Sequence, residues 1–163
     1  MKRSHHVPTA LLCALLAWSA SVTAASQDTR ELDRAFPKST LQIATPDARL
    51  HKIDVWVADT DARRMRGLMF VEHLADDAGM LFIYPYPQPI GIWMKNTPLS
   101  LDILFITAEG RVHRVAENAT PQSTDTIPSN GLVLGVIELK AGSAARMKIA
   151  PGAQVIHPAF RQN

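Results

Sequence analysis

The sequence predicts a mainly β chain: a single-domain β-sandwich or jelly-roll-like small barrel with one or two short helices. Three observations carry this. Short runs rich in branched and aromatic residues recur, each bounded by Pro, Gly, Asn or Asp. One of them, HKIDVWVAD, alternates, with Ile53, Val55 and Val57 on one face and Lys52, Asp54 and Trp56 on the other, as a half-buried strand does. Helical segments are too few for regular crossovers between parallel strands.

Residues 1–25 have the layout of a secretory signal peptide: Lys2 and Arg3, an apolar run from Val7 to Ala20, and small residues around Val22 to Ala25. The apolar run falls short of the ~20 residues that span a bilayer. The expectation is a periplasmic or secreted protein with no stable membrane insertion after cleavage. Cys13, the only cysteine, lies in the apolar run, so the mature chain has no disulfide, no thiolate nucleophile and no thiolate metal site. Cleavage removes two of 17 Lys+Arg and none of 15 Asp+Glu, leaving 15 of each. With the charge balanced and no dense basic run, a nucleic-acid partner is not expected. About 135 residues remain, enough for one domain with its own core.

Residues 26–40, charged and broken by Pro37, read as a mobile leader, 41–157 as the β domain and 158–163 as a tail. Within the domain the strand-like runs after HKIDVWVAD are GMLFIY, IGIWM, LDILFI, RVHRVAE and LVLGVIELK. DTDARRMRGLMF reads as a helix capped by Asp59 or Thr60 and stopped by Gly67 in a left-handed conformation, with Leu68 folding back. A second short helix is expected at GSAARMKI, capped by Ser143.

Four ordered segments, RRMRGLMF, GMLFIYP, WMKNTPLSLDILFI and GVIELKAGSA, resemble the pattern of the family called domain of unknown function 192. The resemblance runs from Leu41 to Ile156 through Arg64, Gly67 to Met69, Gly79 to Phe82, Trp93 to Thr97, Leu101, Asp102, Glu138, Leu139 and Gly142. It implies a mainly β fold of sandwich or jelly-roll type, often exported, and no particular reaction. The family's usual Gly-Asp near the end is Gly152-Ala153 here, so any role of that aspartate is absent.

In LDILFI both strand faces are apolar, which puts Asp102 at least partly inside. A buried carboxylate needs charged or hydrogen-bonding partners, and Arg64, Lys95 and the local backbone are candidates. In KNTP, Pro98 suits the second position of a turn and Asn96 can bond its backbone, but no turn requires Lys95. The candidate ligand-binding residues are therefore Arg64, Trp93, Lys95, Asn96, Thr97 and Asp102, beside an aromatic floor to which Phe82 contributes. A small-molecule or carbohydrate-like ligand fits such a cluster. Glu138, sharing a strand face with Leu134 and Val136, allows two further readings: an ion pair with Lys95, or a carboxylate pair with Asp102 for hydrolysis. A soft-metal reading, copper held by Met65, Met69, Met80, Met94, His73 and His113, competes with the use of the methionines as core filler. No cofactor and no metal site are predicted, and protein partners are not legible in the sequence.

Overall fold

The computed structural model describes residues 27–160. The predicted signal peptide with Cys13 and the last three residues lie outside that range. Residues 27–35 form helix α1. Then follow β1 (Lys38–Ala44), β2 (Leu50–Ala58), α2 (Asp61–Arg66), β3 (Ala78–Ile92), β4 (Leu101–Ile106), β5 (Val112–Ala119), β6 (Ile127–Lys140), α3 (Ser143–Met147) and β7 (Gln154–Ile156). The seven strands make one sheet in the order β5-β4-β6-β3-β2-β1-β7. Its two ends meet at one corner: Arg111 bridges Gln154, and the Val155 and Val112 N–H groups donate to the Gly110 and Ala153 carbonyls at 2.7 and 2.9 Å. The result is the expected mainly β domain, a curled, barrel-like sheet.

Curling gives the sheet an inside and an outside, and both are apolar. The inner cluster draws on every strand, including Ile43, Ile53, Leu81, Leu104, Val112, Ile137 and Val155. The outer cluster is built on Met80, Phe82, Ile103, Phe105 and Val136, and is covered by Leu32 and Phe36 at the N-terminal end and Leu68, Val71 and Leu74 after α2. Strand β4 is therefore buried on both faces, all six residues of it.

The stretch 26–40 departs from its expectation as a mobile leader. Its residues 27–35 are helical, Leu32 and Phe36 are buried, and β1 begins at Lys38. Asp28 accepts the Glu72 and His73 N–H groups at 3.0 and 2.8 Å, and Asp33 accepts the Trp56 indole N–H at 2.8 Å. The charged residues that break the sequence pattern are the ones that tie the helix down. Of the expected tail, residues 158–160 are described, and Phe160 is buried in the inner cluster.

All strand pairs are antiparallel except β2 with β3. A parallel pair needs a crossover of a dozen or more residues. Residues 59–77 make it, and α2 opens it. A helix of six residues does not hold itself together in water. Here Thr60 caps it, accepting the Arg63 N–H at 3.3 Å, and three arginines anchor it: Arg63 to the Ala35 carbonyl, Arg64 to the Ile83 carbonyl at 2.7 Å, and Arg66 to Glu31 at 2.6 Å. Gly67 ends it at φ 44° and ψ −141°. The positive φ is as expected, but the ψ lies outside the left-handed helical well, in a region that only glycine enters readily.

The runs GMLFIY and IGIWM prove to be mostly one strand, β3. Its register with β6 jumps from Ile83↔Gly135 to Gln88↔Val133. Pro85 and Pro87 fall in that bowed segment, where a missing N–H breaks no ladder bond.

Candidate functional site

The crossover leaves a cleft of about 490 Å³ between α2, the loop after it, β3, β6 and the turn at 93–97. Phe82, Tyr84 and Ile92 of β3 and Leu68 and Met69 of the loop give it apolar walls. Arg64, Arg66, Trp93, Lys95 and Thr97 stand around it, and Glu138 is part of its lining.

Glu138 follows from strand parity. It pairs with Met80 on β3 and with Ile103 on β4, both fully buried, so its side chain rises from the middle of the sheet between two apolar neighbours. The residue is 5% exposed, and no hydrogen bond or ion pair engages its carboxyl among the described residues. Burial pushes this carboxyl up to about 8. At neutral pH it is an uncharged acid with an O–H to donate. Burial also raises the Tyr84 hydroxyl to about 12, opposed by the nearby Arg64 charge and reinforced by Glu138.

Asp102 has the other environment. It pairs with Leu139, one residue away from Glu138 in register, so the two carboxyls point to opposite faces of the sheet. Asp102 is 0% exposed, and both its oxygens are occupied: Oδ1 accepts the Asn118 N–H at 2.9 Å and Oδ2 the Ala144 N–H at 2.8 Å. Both donors are irregular backbone that needs an acceptor. Asn118 sits at φ 54° where the β4–β5 register slips, and Ala144 is in the first turn of α3. Ser143, the expected cap of α3, is instead its first residue, and Asp102 does the capping from a neighbouring strand. Of its candidate partners the backbone is the one used. Arg64 and Lys95 are not bonded to it, and Asp102 lines no part of the cleft.

The geometry therefore corrects three expectations. A hydrolytic pair of Asp102 and Glu138 is ruled out by the register, because carboxyls on opposite faces cannot flank one bond. Lys95 pairs with neither of them; its ammonium lies 5.7 Å from the Trp93 ring centroid, over an indole that is 47% exposed. Asp102 leaves the ligand-binding set.

The turn itself falls earlier than expected. The Met94 carbonyl accepts the Thr97 N–H at 3.0 Å, and Asn96 at φ 56° supplies the left-handed residue instead of a side-chain bond to the turn. The Asn96 carbonyl accepts the Phe70 N–H at 2.8 Å, which fixes the loop after α2 against the turn. Thr97 is buried, with its hydroxyl on the Lys95 carbonyl. Arg64, Trp93, Lys95 and Thr97 are thus brought together around the cleft, with Asn96 supporting its rim. Tyr84 belongs to it too and was missed, although it shares parity with Met80 and Phe82 in GMLFIY.

The methionines divide by position: Met80 and Met94 fill the outer core, while Met65 and Met69 line the cleft. The two histidines of the soft-metal reading are engaged separately, His73 by Asp28 and His113 by the Asn130 carbonyl. Two other places invite attention. Ser39 and His157 lie 3.0 Å apart, but His157 Nδ1 accepts the Ala159 N–H, so Nε2 carries the proton and donates to Ser39. That tautomer cannot take a proton from the serine. A cleft of about 620 Å³ beside Trp56 is larger, but its polar groups satisfy one another: Lys38 with Asp33, Lys52 and Thr40 with Asp54, the indole with Asp33.

A curled seven-stranded sheet with an arginine-clamped crossover over one face defines the class of domain. Residues 42–157 match the family DUF192, described as an uncharacterised ACR family, and the chain belongs to it. It is similar to a protein of Sinorhizobium meliloti 1021 described as a candidate transcription regulator, with 36% identity and a TM-score of 0.75 over 77% of this chain and 97% of that one. A protein of unknown function from Novosphingobium aromaticivorans DSM 12444 is similar at 34% identity and a TM-score of 0.71, over 74% of this chain and 85% of that one. No curated protein matches the chain.

Proposed function

We propose that the protein is an exported small-molecule-binding module whose site is the cleft over Glu138. One observation carries the reading: Glu138, a buried residue whose carboxyl no described residue bonds, lines a formed cleft with apolar walls and a charged rim. Buried polar groups are nearly always bonded, and a group left over beside a cavity is explained by what enters it. Trp93, exposed at the rim, and Phe82 and Tyr84 in the wall are the aromatic surfaces a ligand of a few hundred Å³ uses for contact.

Ligand-observed NMR of the mature protein against metabolite mixtures tests this. Compounds should be retained by the wild type and released by Glu138→Leu with its fold intact. If no compound distinguishes the two, the reading fails.

The export half of the proposal rests on the basic start, apolar run and small residues of positions 1–25. N-terminal sequencing of the protein from its native host should begin at Ala25 or Ser26. A mature chain that retains Lys2 removes it. Among the described residues no helix is long and apolar enough to cross a membrane.

A further inference from the structure

The charges around the cleft constrain its occupant. Its charged and titratable lining is Asp61, Arg64 and Arg66 from α2 and its end, Tyr84 from β3, Lys95 from the turn and Glu138 from β6. Most of it is internally spent. Arg64 is bonded by Asp61 and the Ile83 carbonyl, and Arg66 by Glu31 and the Met69 carbonyl. Lys95 is exposed and has no carboxylate partner among the described residues. What remains is one uncompensated ammonium over an aromatic ring, and one unpartnered acid flanked by Met80 and Ile103.

We propose that the cleft binds a small organic monocarboxylate with an apolar body, Lys95 supplying the counter-charge and the Glu138 acid the hydrogen-bond donor. The inference rests on the reading of the cleft as a small-molecule site. The apolar body has Phe82, Leu68 and Ile92 to lie against. An O–H donated to a carboxylate is among the strong hydrogen bonds, and it forms without placing an ionised Glu138 between apolar neighbours. An ammonium ligand requires that ionisation, so both ions must be desolvated on the apolar floor, with Arg64 and Lys95 opposing the newcomer. A neutral sugar leaves the Lys95 charge unused.

Glu138 adds a proton condition. Burial holds it protonated up to about pH 8, so the donor is present below that pH and becomes a repelling carboxylate above it. Binding of a carboxylate must weaken as pH rises through this point.

The test uses the mature protein and an isosteric series, hexanoate, hexanol and hexylammonium, titrated at pH 6.5, 7.5 and 9 while the Trp93 indole resonance is followed. Hexanoate should shift it at the two lower pH values, and its Kd should rise by about tenfold per pH unit above the Glu138 transition. Lys95→Met should weaken hexanoate by about tenfold without altering the melting curve. Glu138→Gln, whose amide donates at every pH, should bind hexanoate with no such dependence. Tighter binding of hexanol or hexylammonium overturns the carboxylate assignment and leaves the cleft a small-molecule site. Silence of all three at Trp93 also overturns it. The broader reading falls with it only if the metabolite mixtures also fail to separate the wild type from Glu138→Leu.

Discussion

Asp102 and Glu138 sit on adjacent strands, one residue apart in register, and both are buried, yet they live in opposite chemistries. Asp102 points to the face where α3 packs, and its two oxygens absorb two backbone donors that the folding of β5 and α3 leaves exposed. Glu138 points to the face that the crossover covers, packed between Met80 and Ile103, and no described residue bonds its carboxyl. Burial is common to both and discriminates nothing. What separates a structural carboxylate from a candidate functional one is the count of its partners.

The largest expected effect tests the structural half. Asp102→Asn keeps one acceptor but turns an amide N–H₂ toward a backbone N–H, so one charge-assisted bond is lost and a buried donor orphaned. A loss of ~3 kcal/mol or more is expected in urea melts at pH 7. A loss under ~1 kcal/mol would mean that the carboxylate does not hold these donors.

Glu138 should behave in the opposite way. Its folded pKa, about 8, lies above the ordinary 4.5, so the native protein keeps a proton that the unfolded chain gives up. Its contribution is full below 4.5 and is lost as pH rises toward 8. His157, lowered by burial, has the reverse sign and acts below 6.5, which leaves pH 6.5 to 8 as the clean window. There the wild type should lose ~1.4 kcal/mol per pH unit, roughly 2 kcal/mol across the window, while Glu138→Gln stays flat. A flat wild type would show that the carboxyl is solvated or paired in solution.

The same contrast marks what the sequence could reveal. The alternation of Ile53, Val55 and Val57, the doubly apolar LDILFI and the helix closed by Gly67 were all legible, because each is a local pattern with a fixed period. The relative facing of Asp102 and Glu138 was not. It depends on the register between β4 and β6, and a slip of one residue would turn either side chain over. Trp56 failed for a related reason. Assigned to the polar face, it is buried under α1, whose charged sequence hides that Leu32 and Phe36 point inward. Arg64, Trp93, Lys95 and Thr97 were recovered as a group because three of them sit on one turn, and α2 brings the fourth to it.

Gly67 closes the cleft from the crossover side, and its test is smaller. A Cβ there would lie 3.2 Å from the Phe82 ring, on a backbone of positive φ. Gly67→Ala should cost ~1 kcal/mol in denaturant melts. It should also disturb any ligand of the Glu138 cleft, since Phe82 is part of its wall. Unchanged melts would remove the conformational role of the glycine.

The smallest effect is the sharpest test of independence between the two regions. Lys95 belongs to the Glu138 side; it is exposed, stacks on Trp93 and shares no partner with Asp102, whose bonds go to Asn118 and Ala144. Lys95→Met keeps the stem and removes the ammonium, so its own cost should lie within ~0.5 kcal/mol. Combined with Asp102→Asn, it should then add without interaction, within ~0.5 kcal/mol, because groups without common partners are energetically separate. A coupling above ~1 kcal/mol in this double-mutant cycle would join the two faces into one network. The division between a carboxylate that holds the fold and an acid that no described residue bonds would then have to be abandoned.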